Sequence, residues 1–210
     1  IPSDLQTAKV DWEGSHRNTP HHISATFTKN RPLPSESDIR RAAEVLRAGN
    51  KIAMLVGRGA LGATDEVEAC AEKLGAPVVK ALLGKAVLPD DSPYTTGGTG
   101  LLGTKPSHEV LQNCDTLLIV GSSFPYLEFY PDPGQARAVQ IDIDPTRIGL
   151  RYPVEVGLVG DSRRTLAALA ELLERREDRE FLEDAQKNMN EWRDLMEQRG
   201  TRDDEPMKPQ

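Results

Sequence analysis

At 210 residues, of which 38% are hydrophobic and 28% charged, the chain can bury one sizeable core and has the composition of a water-soluble globular domain. No run approaches the roughly 20 apolar residues that span a bilayer, and a formal net charge of −7 argues against tracking along a nucleic-acid backbone. The two cysteines, Cys70 and Cys114, lie in apolar segments and read as free buried thiols of a reducing compartment, which points to the cytoplasm.

Residues 1–35 lack apolar periodicity and are rich in Pro, Ser, Thr and His; they read as an extended linker from a preceding domain, with no signal peptide. Ile1 in place of Met reads as processing or as the start of an excised fragment. His16, His21 and His22 fall in this linker without further ligands at fitting spacing, so no metal site is expected.

A regular pattern then begins. Ser35 or Ser37 caps a helix to about Ala48, with Ile39, Ala42, Ala43, Val45 and Leu46 on its apolar side and Gly49 beyond its end. Lys51 to Val56 is an unbroken apolar run after its lysine and reads as a strand covered on both faces. Thr64 to Leu74 is the next helix, stopped by Gly75, and Ala76 to Lys80 the second strand. The connection from Ala81 to Pro106 reads as one long loop, either a lid or cofactor-wrapping segment or disordered. Ser107 to Asn113 is a short helix. Strands follow at Thr116 to Val120, Ala136 to Ile143 and, more weakly, Val154 to Val159. Asp161 or Ser162 caps a helix through about Arg175. Beyond it Phe181, Leu182, Met189, Trp192, Leu195 and Met196 recur at helical spacing in a highly charged stretch, which predicts an amphipathic helix leaving the domain. The last segment, 201–210, is charged and carries two prolines, so it reads as a second linker. Alternating strands and helices imply a three-layer α/β fold with a doubly wound parallel sheet of about six strands, a Rossmann-like nucleotide-binding architecture. The expected division is a linker at 1–35, the central domain at 36–176, the trailing helix at 177–200 and a linker at 201–210.

Candidate chemistry collects at the carboxyl ends of these strands. Gly57-Arg58-Gly59-Ala60-Leu61-Gly62 is a G-x-G-x-x-G between a strand and a helix, where glycines let the backbone approach a pyrophosphate; a plain glycine-rich turn is the other reading. The acid that a dinucleotide fold places about 20 residues on, at the end of the second strand, is replaced by Val79-Lys80. Gly121 to Tyr126 follows the third apolar strand, Gln140 to Pro145 ends the next, and Gly160-Asp161 ends the last. Small or acidic residues at successive strand ends converge on one sheet edge, as a nucleotide crevice requires. Asp144 before Pro145 has the pattern of a helix cap, whereas Asp142 is placed to accept hydrogen bonds from a ribose. There is no G-x-S-x-G elbow, P-loop or zinc-type Cys/His cluster, and His108 reads as a surface residue.

These residues resemble a known family. Gly57-Arg58-Gly59, Ala81-Leu82-Leu83-Gly84-Lys85, Thr99-Gly100-Leu101-Leu102-Gly103, Asn113-Cys114-Asp115-Thr116, Gly121-Ser122-Ser123-Phe124-Pro125-Tyr126, Gln140-Ile141-Asp142-Ile143-Asp144-Pro145 and Leu158-Val159-Gly160-Asp161 together are similar to the central domain of thiamine-diphosphate-dependent enzymes. The pyruvate oxidases and quinone-dependent pyruvate dehydrogenases are nearest, with the acetolactate synthases as wider kin. The likeness covers about Ser35 to Arg175. Ile1 to Gln6 resembles the close of the family's first domain, and Pro206 to Gln210 the lead-in to its last.

The resemblance implies FAD held in extended form. On it, Gly57, Arg58, Gly59 and Ala60 approach the pyrophosphate and adenosine side, and Ala81 and Leu82 line the loop. Thr99, Gly100, Leu101 and Leu102, with Gly121, Ser122, Ser123, Phe124, Pro125 and Tyr126, contact the flavin and ribityl half. Asp142 and Ile143 take the adenosine ribose, and Gly160 and Asp161 lie near the adenine. Leu83 replaces an arginine of the nearest relatives, and Thr104-Lys105 a Met-His of acetolactate synthases. The family's activating glutamate and its Gly-Asp-Gly…Asn motif, which hold thiamine diphosphate and Mg²⁺, belong to segments outside this chain, so no residue here is assigned a catalytic role. The implied parent decarboxylates a 2-oxo acid, works as a homodimer or homotetramer, and contacts this segment through its other domains. Two further readings remain open: a cofactor-free spacer domain, and a free-standing NAD-binding protein, which the missing acid disfavours.

Overall fold

The computed structural model describes residues 2–9 and 30–205. His16, His21, His22 and the segment from Pro206 to Gln210 lie outside the described residues. The chain divides into two units, 1–30 and 31–210. Among its described residues the first holds one short helix, α1 (Ser3–Gln6).

The second unit opens with α2 (Glu36–Ala48), capped by Ser35, whose Oγ accepts the Asp38 N–H at 3.2 Å. Its buried face is the expected one: Ile39, Ala42, Ala43, Val45 and Leu46. Then come β1 (Ile52–Val56), α3 (Thr64–Leu74), β2 (Val78–Lys80), β3 (Thr95–Gly98), α4 (Lys105–Asn113), β4 (Thr116–Val120), β5 (Arg137–Asp142), β6 (Val156–Val159), α5 (Ser162–Leu172) and α6 (Glu180–Gly200). Gly75 ends α3 in the left-handed conformation, φ +60°, which a residue without Cβ adopts freely.

All six strands are parallel, in the order β3-β2-β1-β4-β5-β6. β1 and β4 are buried along their whole length, which is why their sequences run apolar without alternation. β6, at the sheet edge, alternates buried and exposed residues, so its sequence signal is weaker. Met54, Val56, Val78, Leu118, Val139 and Leu158 pack on one face with α2, α3 and α5. Ala53, Leu55, Val79, Leu117 and Ile119 pack on the other with Val110 and Leu111 of α4 and Ala185 of α6. The result is the expected three-layer α/β architecture.

Two expectations need correction. The connection from Ala81 to Pro106 is not one loop: it contains a 3-10 turn at Leu82–Val87 and the edge strand β3. β3 reads Thr95-Thr96-Gly97-Gly98, with no apolar run to reveal it, and a bulge interrupts its register with β2. Nor does α6 leave the domain. Leu182 and Ala185 are buried against it, the Gln186 side chain donates to Pro93 O at 3.0 Å, and Arg193 donates to Asp90 O at 2.7 Å.

Glu72 on α3 holds the approach to α6. Its carboxylate accepts from Arg175 at 2.6 Å, Arg179 at 2.7 Å and the Tyr94 hydroxyl at 2.8 Å. The Arg175 hydrogen bond, followed by that of Tyr94, pulls the carboxyl from its ordinary 4.5 down to about 2. A lowered folded value means that this stabilisation is complete above about pH 4.5 and is lost as pH falls toward 2. Urea unfolding across that window is expected to show a steeper acid loss for the wild type than for Glu72→Gln. Parallel curves would remove Glu72 as the source.

Both cysteines are free and buried. Burial pushes each thiol up to about 12, which leaves them inert as nucleophiles.

Candidate functional site

From β1 the chain builds outward through β2 to β3, then crosses back to place β4 on the other side of β1. Loops leaving β1 and β4 therefore diverge, and a doubly wound sheet holds its ligand where they do, at the carboxyl ends of the strands.

The floor of that crevice is backbone against backbone. Gly57 N–H donates to Val120 O and Gly59 N–H to Gly121 O, both at 2.9 Å, while Ala60 N–H donates to Gly57 O at 3.0 Å. A Cβ on Gly59 would lie 2.7 Å from Gly121 Cα, and one on Gly121 would lie 2.4 Å from Gly59 Cα. The glycines thus let two turns interlock, and the amides of Gly57, Gly59 and Ala60 are engaged within the protein. Arg58 is exposed and forms no ion pair among the described residues. The first turn of α3 carries Asp65 and Glu66, the latter paired with Arg163 at 2.8 Å, so negative charge of the protein's own already stands near the positive end of the helix dipole.

At the end of β2, Lys80 is turned inward and 1% exposed. Its Nζ donates to Leu88 O at 3.1 Å and to Asp90 Oδ1 at 2.5 Å, and this contact holds the Asp90 carboxyl below its usual range. The lysine fastens the connection to β3 where a dinucleotide fold would place a ribose-binding acid. Ala81 N–H bonds Val56 O at 2.9 Å, and Gly84 lies so close to β1 that a Cβ would come 2.5 Å from Val56 O. Leu82 and Leu83 face outward beside this contact.

Thr99 N–H donates to Lys80 O at 3.0 Å. The Thr99 side chain is buried, yet its Oγ1 has no partner among the described residues. Gly100, at φ +104°, brings its backbone beside Phe124, whose Cζ would lie 3.3 Å from an added Cβ. Leu101 and Leu102 are the most exposed large apolar residues of this edge, at 82% and 96%.

After β4, Gly121 and Ser123 are half-buried, Ser122 and Phe124 are buried, and Pro125 and Tyr126 are exposed. Phe124 packs against Tyr126, Phe129 and Tyr130, and Tyr130 OH donates to Phe124 O at 3.1 Å. The aromatic cluster fixes the loop. After β5, Asp142 Oδ1 accepts Asp144 N–H at 3.0 Å, and Ile143 is exposed. Asp144 caps a single 3-10 turn, Pro145–Arg147, accepting Thr146 N–H at 3.0 Å; the cap follows its sequence pattern, although no α-helix continues from it. Gln140, buried, donates to Arg147 O at 3.0 Å and accepts Gly149 N–H at 2.9 Å. Arg147 then reaches back across the edge to donate to Ser123 Oγ at 2.9 Å.

Gly160 and Asp161 sit at the far end. Gly160 N–H donates to Asp142 O at 2.9 Å, and a Cβ there would meet Thr165 Oγ1 at 2.5 Å and Pro34 Cδ at 2.7 Å. Asp161 caps α5 by accepting Arg164 N–H at 3.1 Å. β6 is three strands from β1, about 14 Å at the usual strand spacing.

The structure thus joins Gly57 to Ala60 with Gly121 to Ser123, Thr99 and Gly100 with Phe124, and Asp142 with Gly160. It leaves Thr99 to Leu102 and Gly160-Asp161 at opposite ends of one edge. Lys80 and Gln140 were named from sequence only by their positions at strand ends, without these roles, and Arg147 was not singled out. Their roles depend on partners brought close by the turns, and no spacing in the chain signals them. A separate cleft of about 520 Å³, lined by Lys51, Glu109, Asp178, Asp184 and Asn188 among others, lies at the amino ends of the strands, between α4 and α6. It contains none of the candidate residues.

Comparison with known proteins gives one consistent pattern. The family described as thiamine pyrophosphate enzyme, central domain, matches residues 39–169. The YdaP protein of Bacillus subtilis (strain 168), named as thiamine pyrophosphate-containing, is 37% identical over all of this chain and 35% of its own length. Pyruvate oxidase of Lactiplantibacillus plantarum is 27% identical over 92% of this chain and 32% of its own. The acetolactate synthase large subunit of Corynebacterium glutamicum is 32% identical over 81% and 27%. A solved structure from Mycobacterium smegmatis, named as a thiamin diphosphate-dependent enzyme, superposes with a TM-score of 0.60 at 28% identity, covering 74% of this chain and 31% of that one. The chain spans about a third of the length of these curated relatives.

Proposed function

The chain belongs to the central-domain family of thiamine pyrophosphate enzymes, and from that premise we propose that it is the FAD-holding middle domain of a 2-oxo acid decarboxylating enzyme resembling pyruvate oxidase. FAD lies along the carboxyl edge, its ADP part toward β5 and its flavin half toward the turn after β3. The other domains of the parent supply thiamine diphosphate and Mg²⁺, and the parent assembles as a homodimer or homotetramer. Among the described residues no helix is long and apolar enough to cross a membrane.

The observation that carries this reading is Thr99. A buried hydroxyl without a partner costs about 1–3 kcal/mol, and a ligand group bonding it would remove that cost. Thr165 Oγ1 is also buried without a partner, but it is enclosed beneath Gly160 and Pro34. Thr99 Oγ1 is covered as well, but its residue leads directly into Gly100 and the outward-facing Leu101 and Leu102. Gly100, lacking a Cβ, lets the backbone of this turn run close against the buried Phe124, and the second Asp142 carboxylate oxygen accepts no bond among the described residues. When bound, the flavin would accept electrons; the protein's part is to position it and keep it from solvent.

One observation favours the cofactor-free spacer instead: the engaged amides of Gly57, Gly59 and Ala60. Titration with FAD, followed by flavin fluorescence, separates the two. Saturable one-to-one binding is expected, and Thr99→Val is expected to weaken it. A chain that binds neither FAD nor ADP is a spacer.

A further inference from the structure

We propose that Arg147 is the cation that receives the nucleotide's pyrophosphate. The inference rests on the reading that the carboxyl edge holds a nucleotide, and it concerns where the phosphate charge goes. A doubly wound domain ordinarily meets that charge with the amides of its first glycine turn and with the start of the following helix. Here Gly57, Gly59 and Ala60 donate to Val120 O, Gly121 O and Gly57 O, and the first turn of α3 carries two acidic residues, Asp65 and Glu66, which disfavour an anion there. A pyrophosphate at this edge therefore gains from a positive group elsewhere.

Arg147 has the required placement. Its backbone is held by the buried Gln140 amide, at 3.0 Å to its own carbonyl and 2.9 Å to Gly149 N–H. Its guanidinium spans from the turn after β5 to Ser123 Oγ, at 2.9 Å, in the loop whose first residue touches Gly59. That puts a fixed cation beside the switch point. The side chain is 48% exposed, so a ligand can reach it. Asp144 is its ionic partner, at 3.5 Å through Nε, and the same carboxylate already accepts two bonds from Thr146. A guanidinium carries five N–H donors in a planar fork that matches phosphate oxygens. Nη2 makes no bond among the described residues. Arg58 is also exposed, but no contact among the described residues anchors its side chain.

The test compares ligands with and without phosphate. Wild-type chain and Arg147→Gln are titrated calorimetrically with FAD, ADP, adenosine and riboflavin. Arg147→Gln is expected to bind ADP and FAD about 10- to 100-fold more weakly, the loss of charge-assisted hydrogen bonds, with adenosine and riboflavin unchanged. Arg147→Lys, which keeps the charge without the fork, is expected to recover part of the loss. If adenosine weakens as much as ADP, Arg147 acts by holding the loop and the proposal is overturned. An unchanged ADP affinity overturns it too. A wild type that binds neither FAD nor ADP overturns both this proposal and the nucleotide-site reading, whereas the first two results leave that reading intact.

Discussion

Gly121→Ala is expected to lower the unfolding free energy by about 2–5 kcal/mol, the sum of left-handed backbone strain and an overpacked contact. Gly121 has φ +56°, a region in which a Cβ crowds the following carbonyl. The added Cβ would also lie 2.4 Å from Gly59 Cα, 2.6 Å from Gly59 C and 2.9 Å from Ala60 N. These are backbone atoms, so no side chain can rotate away. Relief requires the turns after β1 and β4 to separate, which strains the bonds from Gly57 N–H to Val120 O and from Gly59 N–H to Gly121 O. Gly62→Ala is the control: its φ is +82°, but an added Cβ meets no atom within 4 Å. It carries the strain without the clash and is expected to cost about 1–2 kcal/mol. Gly59→Ala, with a Cβ 2.7 Å from Gly121 Cα, attacks the same contact. The double variant is therefore expected to cost less than the sum of the two singles. Urea unfolding of the four variants decides the matter. A Gly121→Ala value equal to that of Gly62→Ala would mean that the turns are not interlocked.

That interlock marks the limit of what the sequence carries. The G-x-G-x-x-G motif of Gly57 to Gly62 is readable as a strand-to-helix turn, and its position at the carboxyl edge follows from the apolar run before it. What its amides bond to is decided by Gly121, about sixty residues on, and no local pattern encodes that. The sheet was legible for a simpler reason. β1 and β4 are covered on both faces, and burial writes itself as apolar runs, Ile-Ala-Met-Leu-Val and Leu-Leu-Ile-Val; β5 is buried over its four middle residues, among them Gln140. β3 has two threonines and two glycines, and the same rule is silent there. In α6, Leu182 and Ala185 dock while most other positions face solvent. Charge dominates its composition, and a docked helix reads as a departing one. At the site, Asp142 and the loop from Gly121 were visible as residue types at strand ends, whereas Thr99 entered only through the family resemblance. The roles of Lys80 and Arg147 were not visible, because a lysine or arginine on a turn reads as a solvated charge until its hydrogen-bond partners are known.

Asp142 and Asp144, two residues apart, are expected to separate binding from stability. Asp144 accepts Thr146 N–H at 3.0 Å and Thr146 Oγ1 at 2.7 Å, and its carboxyl is held below the usual range by those bonds and by Arg147. It is a cap, and its effect is local. Asp142 shares a strand face with the buried Gln140, is half-buried, and gives one carboxylate oxygen to Asp144 N–H at 3.0 Å. The other oxygen is available to the two hydroxyls of a ribose. Hydrogen bonds to a charged group contribute about 1.5–3 kcal/mol, so Asp142→Ala is expected to weaken FAD binding by about 10- to 150-fold. Asp142→Asn keeps an acceptor for Asp144 N–H but loses the charge. Its affinity is expected to fall nearly as far while its urea midpoint stays at the wild-type value. Asp144→Ala is expected to do the opposite, lowering the midpoint slightly and leaving affinity within a fewfold change. Because Asp144 is also the ionic partner of Arg147, its removal frees that guanidinium, so any change in ADP affinity should be toward tighter binding. Flavin titration and urea unfolding of the three variants measure both axes. If Asp142→Ala binds FAD as the wild type does, the ribose lies elsewhere on the edge and Asp142 is a turn residue like its neighbour.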